Sequence, residues 1–146
     1  IRDREVKEMK VYLASPWFKD REMTVYKQII KKMRSQGIDV YAPIEHEIEN
    51  AWDMPNKEWG HKVFMEDIDA IDKCDEVWVL NFGMYSDSGT AWECGYAYAK
   101  GKTVRMLLNT YTETEFSLMM VNGCDEVDSM VNYLTDSDFK LEIDVK

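Results

Sequence analysis

Two acidic residues, Asp87 and Glu93, flank the start of a predicted helix that follows a strongly apolar run, residues 76–82. Asp87 and Ser88 can each cap the first free N–H groups of that helix. Glu93 lies one to two turns inside, where we expect the helix dipole to favour its ionised form. Ligands of parallel α/β sheets bind beyond the carboxyl ends of strands, at junctions of this kind. Glu93 is therefore a candidate catalytic carboxylate, and the alternative is an exposed Glu on a capped surface helix.

A second carboxylate, Asp67, has an unusual position in its own predicted helix, residues 58–73. It lies four residues after Val63 and four before Ile71, on or beside the apolar stripe of that helix. A buried unpaired charge is costly. Asp67 therefore either takes part in chemistry or lies at the edge of the stripe and reaches water.

Composition excludes several classes of function. The chain has 146 residues, 45% of them hydrophobic, which suits one domain with one core. Its net charge of -10 argues against a nucleic-acid partner, since binding that backbone needs clustered Lys and Arg. No apolar run approaches the ~20 residues that span a bilayer, so no membrane partner is expected.

The three cysteines are widely spaced, without CxxC or zinc-ligand spacing. We therefore predict reduced thiols in a cytoplasmic protein, with no metal and no other cofactor. Cys94 follows Glu93 but points about 100° away around the helix, and we interpret it as a packing residue.

Strand and helix patterns alternate along the chain from Met9 onward. Residues 1–8 are charged, without periodicity, and predict an extension that is not a signal peptide, outside a domain of residues 9–146. The predicted strands are residues 10–14, 38–42, 76–82, 102–108 and 124–127. The predicted helices are a segment from a cap at Asp20 to Gly37, residues 58–73, a segment from the Asp87 cap to Gly101, and residues 116–121 and 128–134. This order predicts a single doubly wound α/β domain, flavodoxin-like or Rossmann-like, with a mostly parallel five-stranded sheet and helices on both faces.

Three stretches of the chain resemble the nucleoside 2-deoxyribosyltransferase family. They are Tyr-Leu-Ala-Ser-Pro-Trp-Phe at 12–18, the helix around Asp67, and Asp-Ser-Gly-Thr-Ala-Trp-Glu-Cys-Gly at 87–95. The likeness runs in order from about Met9 to Met130, and its most specific part is the D-x-G-T-A-W-E-x-G pattern. It implies transfer of 2-deoxyribose between nucleobases by a retaining double displacement through a covalent glycosyl-enzyme, with slow hydrolysis when no acceptor base is present.

The resemblance also implies roles for individual residues. Glu93 matches the nucleophile, Asp67 the group that protonates or orients the base, and Tyr12 the residue that positions the nucleophile. Asp87 matches a ligand of the sugar hydroxyls. The remaining implied substrate-binding residues are Ser15, Trp17, Phe18, His46, Glu47, Gly89, Ser117 and Met119. We expect Glu93 to be ionised and Asp67, in a drier setting, to be protonated part of the time.

The family forms homo-oligomers, which implies that the Ser117–Met119 segment completes the site of a neighbouring subunit. Two positions depart from the family pattern. Ser117 stands where the family usually has Asn, and Glu47 stands where it often has a Gln that reads the base edge. A carboxylate donates no hydrogen bond unless protonated. Glu47 therefore favours bases that carry an amino group, such as adenine or cytosine.

Two other functions remain open at this point. Nucleoside 5′-monophosphate N-glycosidases share the fold and hydrolyse nucleotides, but they tend to carry Ser where this chain has Asp87. A carboxylate there would repel the phosphate, which favours free nucleosides as substrates. The second alternative is a non-catalytic nucleotide-binding module, since the fold alone does not establish a reaction.

Overall fold

The computed structural model describes residues 8–46, 51–85, 87–109 and 116–135. Most of the predicted N-terminal extension, the end of the chain beyond Thr135 and the candidate residue Glu47 lie outside these ranges. The strands are β1 (Lys10–Ala14), β2 (Asp39–Tyr41), β3 (Glu76–Asn81), β4 (Thr103–Leu108) and β5 (Glu126–Ser129). The helices are α1 (Asp20–Ser35), α2 (Asn56–Lys73), α3 (Ser88–Ala99), α4 (Leu118–Asn122) and α5 (Met130–Thr135), with 3₁₀ turns at Pro43–Glu45 and Ala51–Asp53.

The five described strands form one parallel sheet in the order β2-β1-β3-β4-β5. Helices α1 and α5 pack on one face, where Trp78 of β3 meets the edge of the Tyr133 ring at 5.5 Å. Helices α2 and α3 contribute Ile71, Cys94 and Ala97 to the opposite face. The predicted doubly wound α/β fold is therefore confirmed. Strand β3 is buried on both sides, which explains its continuous apolar sequence.

The last strand and the last helix each begin two residues later than predicted. The fifth strand begins at Glu126 rather than at Cys124, and α5 begins at Met130 rather than at Asp128. Before the strand the chain makes a turn, because the amide of Cys124 donates to the carbonyl of Val121 at 3.1 Å.

Helix α1 is also capped differently from the prediction, which placed the cap at Asp20. The buried side chain of Glu22 accepts hydrogen bonds from the amides of Phe18 (3.1 Å) and Lys19 (3.0 Å). Glu22 therefore satisfies the free donors at this end, and Asp20 is the first residue of the helix. Gly37 ends the helix with a φ of 82°, in the left-handed region that glycine adopts at such ends.

An ion-pair cluster crosses the sheet on the face that α1 and α5 cover. The Arg105 guanidinium in β4 donates from Nε to Glu76 of β3 at 2.8 Å and pairs with Glu126 of β5. Register places Arg105 beside Trp78 and beside Glu126, and the indole of Trp78 donates to Glu76 at 3.0 Å. We call Glu76, Arg105 and Glu126 the arginine cluster.

Candidate active site

The centre of the site is a contact between a strand tyrosine and a helix carboxylate. Tyr12 lies in β1, fully buried, on the face covered by α2 and α3. Its hydroxyl donates a hydrogen bond to Oε2 of Glu93, the sixth residue of α3. The two residues are 81 positions apart in sequence, so the fold creates this contact.

Asp67 completes the group from α2. Its half-buried carboxyl group lies next to Glu93 and is close enough to Tyr12 for the two groups to influence each other's pKa. Tyr12, Asp67 and Glu93 thus come from β1, α2 and α3, and both helices pack against β1. We call these three residues the carboxylate site. The structure brings together the three residues that the sequence assigned to catalysis.

Burial dominates the electrostatics of the carboxylate site. It raises the pKa of Glu93 to about 8; the hydrogen bond from Tyr12 opposes this rise, and the charges of Asp67 and Asp87 add to it. Burial, together with the charge of Glu66, raises the pKa of Asp67 to about 6, against the hydrogen bond with Glu93 and the charge of His46. The two carboxyl groups titrate as a coupled pair, which holds one proton near neutral pH.

The ionisation of Glu93 differs from the prediction. The helix dipole was expected to keep Glu93 ionised, yet the pKa of Glu93 is the higher of the two. The dipole acts mainly within the first turn of a helix, and Glu93 lies beyond that turn of α3. Burial therefore prevails over the helix dipole, and the pKa of Glu93 is raised rather than lowered.

Asp87 is the N-cap of α3, as the sequence predicted. Its Oδ2 accepts hydrogen bonds from the amide of Thr90 at 2.9 Å and from the hydroxyl of Thr90 at 3.1 Å. A Cβ at Gly89 would lie 3.3 Å from the same oxygen, so glycine keeps the cap unobstructed. Within the described ranges of the chain, Oδ1 of Asp87 has no hydrogen-bond partner and is available to a ligand.

A stack of three aromatic rings extends outward from Tyr12. Register pairs Tyr12 with Tyr41 of β2, and the rings stack at 5.6 Å with an interplanar angle of 13°. The exposed ring of His46 stacks on Tyr41 at 4.1 Å and 6°. We call Tyr12, Tyr41 and His46 the ring stack. Burial and the nearby charge of Asp67 raise the pKa of Tyr41 to about 12.

Sequence reasoning missed Tyr41, although its position held a usable signal. It is the last residue of β2, at the carboxyl end where ligands of parallel sheets bind. The loop beyond it is anchored by Arg34, which holds Glu45 through two hydrogen bonds of 2.8 and 2.5 Å. Arg34 also donates to the carbonyl of Val40 at 3.1 Å. These bonds fix the backbone that carries His46.

The residues after β1 are engaged with one another and with α1. Ser15 is buried, and its hydroxyl donates to the carbonyl of Pro16 at 2.8 Å. Trp17 stacks on Phe18 and on Tyr26, with ring centres 6.0 Å apart in each case. Phe18 leaves 77% of its surface exposed. Their place beyond the carboxyl end of β1 suits a substrate-facing wall, but the contacts found for them do not include the carboxylate site.

Ser117 and Met119 lie at α4. Ser117 caps this helix, and its hydroxyl accepts a hydrogen bond from the amide of Met120 at 3.3 Å. Leu118 and Met119 are 70% and 85% exposed. Among the described residues, no contact of Ser117 or Met119 with Glu93 is found within one chain.

Clustered metal-ligating side chains and long apolar helices are both absent from the part of the chain that the structure describes. There, no group of three or more His, Cys, Asp or Glu side chains is arranged to hold a metal ion. No helix in those ranges has the length and apolar character needed to cross a membrane.

The fold is similar to that of several solved structures. A 2-deoxyribosyltransferase from Bacillus psychrosaccharolyticus is 27% identical, with a TM-score of 0.76 over 90% of this chain and 93% of that one. A conserved protein of Enterococcus faecalis V583, 20% identical, has the same fold, with a TM-score of 0.72 over 89% of this chain and 97% of that one. The CMP N-glycosidase BcmB from Clostridium botulinum is 26% identical, with a TM-score of 0.50 over 70% of this chain and 74% of that one.

Sequence comparison at the level of families covers most of the chain. No curated protein matches the chain significantly by sequence. The family model described as nucleoside 2-deoxyribosyltransferase matches residues 11–140, which include Tyr12, Asp67, Asp87 and Glu93. The chain therefore belongs to the nucleoside 2-deoxyribosyltransferase family.

Proposed function

We propose that the protein transfers 2-deoxyribose from one nucleobase to another through a covalent deoxyribosyl–Glu93 intermediate. The observation that carries this proposal is the carboxylate site. Two partly buried carboxyl groups with raised pKa values lie in contact there, and among the described residues neither forms a salt bridge with Lys or Arg. Carboxyl groups in such surroundings are typical of acid–base and nucleophilic chemistry.

The first half-reaction breaks the glycosidic bond. Glu93 must be ionised to attack, so the proton it holds in the free protein passes to Asp67, its neighbour. The carboxylate of Glu93 then attacks the anomeric carbon as the bond to the base breaks, and Asp67 gives its proton to the leaving nitrogen. The donated hydrogen bond of Tyr12 holds the attacking carboxylate in place.

The second half-reaction reverses these movements with a different base. Asp67 accepts the proton that the incoming nitrogen loses as it attacks the anomeric carbon, and the carboxylate of Glu93 leaves. Two displacements at one carbon restore the original configuration. Water in place of the base gives slow hydrolysis. Oδ1 of Asp87, which has no hydrogen-bond partner among the described residues, supports a contact with sugar hydroxyls, and the negative charge of Asp87 disfavours a 5′-phosphate.

The test is mass spectrometry of the intact protein after incubation with a 2′-deoxynucleoside. We expect a deoxyribosyl adduct that maps to Glu93, disappears when an acceptor base is added, and is absent from Glu93→Ala. An adduct on another residue, or base exchange without any adduct in rapidly quenched samples, would overturn the covalent mechanism.

Hydrolysis of nucleoside 5′-monophosphates is the second candidate function. The similarity to the Clostridium botulinum CMP N-glycosidase favours it, and the carboxylate at Asp87 opposes it. Cleavage of dCMP and dGMP should be compared with base exchange on the free deoxynucleosides. Faster cleavage of the monophosphates would replace the transferase proposal.

The proposed site includes a neighbouring subunit. Support comes from exposed apolar side chains: Leu118 and Met119 on α4, and a cluster in which Phe64 contacts Trp92 at 5.2 Å and Trp92 stacks on Tyr96 at 5.4 Å. We expect Met119→Lys to reduce base exchange by completing the partner's site poorly, while Asn122→Lys, on the same exposed helix, has a smaller effect. Light scattering and activity measured together test this arrangement.

Base preference depends on Glu47, which lies outside the described residues. Its carboxylate favours bases bearing amino groups. Deoxyadenosine should therefore react faster than deoxyinosine, and Glu47→Gln should reduce the difference. Equal turnover of both nucleosides by wild type, unchanged in Glu47→Gln, would contradict this preference.

A further inference from the structure

A surface groove lies between helix α1 and the 3₁₀ turn at Pro43–Glu45. Its volume is about 600 Å³, within the ~300–1,000 Å³ that is usual for sites that bind small molecules. Its apolar lining is formed by Met23, Ile30 and Ile44, which are buried or partly buried. No residue of the carboxylate site lines the groove, which is therefore a separate place on the molecule.

The polar lining of the groove is mostly cationic. Lys27, Lys31 and Arg34 recur at helical spacing along one side of α1, and all three are exposed. Arg34 is already engaged, since it donates to Glu45 in the opposite wall at 2.8 and 2.5 Å. Lys27 and Lys31, in contrast, form no hydrogen bond or ion pair with any part of the chain that the structure describes. The groove therefore offers two unpaired ammonium groups beside a guanidinium.

This arrangement of charges is unfavourable in the free protein. Like charges four residues apart on a helix, as at Lys27 and Lys31, repel each other and lower the stability of the helix. The chain as a whole carries a net charge of -10, yet none of its described carboxylates pairs with these two lysines. A bound anion would remove the repulsion. The charges therefore indicate an anionic ligand, and the apolar lining indicates that the ligand also has an apolar part.

We propose that the groove binds an organic phosphate monoester. Lys27, Lys31 and Arg34 hold the phosphate, and the apolar group of the ligand lies on Ile30 and Ile44. A phosphate suits this set of cations because a guanidinium binds two of its oxygens at once and ammonium groups bind it as point charges. This site is additional to the one that the proposed function uses, where a nearby carboxylate disfavours a phosphate.

A ligand in the groove would act on the loop that leads to the ring stack. A phosphate that binds Arg34 competes with Glu45 and weakens two of the hydrogen bonds that anchor this loop. The next residue, His46, donates from its amide to the carbonyl of Pro43 at 3.0 Å and stacks on Tyr41. Since His46 is one of the implied substrate-binding residues, we expect the ligand to weaken the binding of nucleosides. This consequence rests on the proposed function, whereas the binding site itself does not.

The first experiment measures binding alone. Calorimetric titrations compare 2′-deoxyadenosine 5′-monophosphate (dAMP), deoxyadenosine and inorganic phosphate. The first two ligands differ only in the phosphate, and inorganic phosphate lacks the apolar group. The protein carries Glu93→Gln, which prevents cleavage of the ligands by the proposed nucleophile. We expect dAMP to bind about tenfold more tightly than inorganic phosphate, since its adenine ring leaves water for the apolar lining.

Two double variants of this protein test the position of the site. Lys27→Gln with Lys31→Gln removes two positive charges from the groove, and Lys57→Gln with Lys62→Gln removes two exposed charges from α2. We expect the groove variant to bind dAMP about tenfold more weakly, since it loses two charge-assisted contacts, and the α2 variant to bind it almost unchanged. Deoxyadenosine should bind equally to both. Equal dAMP affinity in the two variants, no binding of dAMP before these changes, or inorganic phosphate binding as tightly as dAMP would overturn the proposal.

Kinetic measurements with Glu93 intact then test the consequence for the proposed function. We expect dAMP to raise the KM for the deoxynucleoside. Lys27→Gln with Lys31→Gln should abolish this rise and leave base exchange without dAMP unchanged. A rise in KM that persists in this variant would assign the inhibition to the carboxylate site and overturn the predicted coupling. If the protein catalyses no base exchange, the calorimetric comparison still decides whether the groove binds dAMP, so the two proposals fail separately.

Discussion

The sheet carries a partly buried pair of carboxylates on each face, and the two pairs have opposite surroundings. Glu76 and Glu126 flank the guanidinium of Arg105, which pairs with both. Asp67 and Glu93 lie against each other and Tyr12, and burial raises both their pKa values. In the arginine cluster a cation neutralises the two carboxylates. In the carboxylate site the charge of Asp67 disfavours the ionised form of Glu93. The difference indicates that Glu76 and Glu126 hold strands together, whereas Asp67 and Glu93 are suited to proton transfer and nucleophilic attack.

The largest expected effect follows from removing the nucleophile. We predict that Glu93→Ala lowers base exchange by about 10³-fold or more, since losing a covalent nucleophile leaves only positioning and binding. The loss should appear in kcat, with circular dichroism unchanged. Activity within tenfold of wild type would assign the nucleophile to another residue.

Removing the proton donor Asp67 should lower base exchange by less than removing Glu93. We predict that Asp67→Asn lowers kcat by about 10²–10⁴-fold, the usual range for general acid–base catalysis. Asp69→Asn is the matched control, because Asp69 lies on the same helix but is exposed and pairs with Lys73 at 2.8 Å. It should stay within twofold of wild type. Similar losses in both variants would mean that α2 responds to any change of charge.

Mutation of the arginine cluster should lower the free energy of unfolding rather than the rate of base exchange. Arg105→Leu leaves Glu76 and Glu126 partly buried beside each other without a cation, and we predict a loss of about 2 kcal/mol in the free energy of unfolding. Urea titration measures this, and kcat should stay near wild type. Adding Glu76→Gln and Glu126→Gln should recover much of the loss. A large loss of kcat with little loss of stability would contradict the structural role assigned to the arginine cluster.

The pH dependence of stability should separate the pairs further. Because the pKa values of Asp67 and Glu93 are raised to about 6 and about 8, the folded state holds protons that the unfolded chain releases at lower pH. Their contribution to stability is therefore fully present below about pH 4 and is lost as pH rises through 6 to 8. Melting temperatures from pH 5 to 9 should fall more steeply for wild type than for Glu93→Gln. Parallel curves would contradict the raised pKa of Glu93.

The smallest effect concerns the hydroxyl of Tyr12. Its hydrogen bond lowers the pKa of Glu93, so Tyr12→Phe should raise that pKa and reduce the ionised fraction at neutral pH. We predict a loss of about tenfold in kcat/KM, the worth of one hydrogen bond to a charged group, and an acid limb shifted to higher pH. If the acid limb of the pH dependence of kcat/KM does not shift in Tyr12→Phe, the ionisation of Glu93 does not control that limb.

Much of the fold could be predicted because alternating strand and helix patterns specify a parallel α/β sheet. The pairing of Asp67 with Glu93 could be anticipated from the family motifs. The ring stack could not, since it depends on the register that sets Tyr12 beside Tyr41. The raised pKa of Glu93 was also missed, because burial depends on how α2 and α3 cover β1. Likewise, Glu22 rather than Asp20 accepts the hydrogen bonds at the start of α1, because its side chain reaches back to the amides of Phe18 and Lys19.

The ring stack should give a ring-current shift that can be observed by NMR. The imidazole of His46 lies almost parallel to the Tyr41 ring at 4.1 Å, where the circulating π electrons of that ring shift the resonances of nearby protons. The chemical shifts of the His46 ring protons would therefore show, in an NMR experiment without substrate, whether the stack beside the carboxylate site is formed in solution.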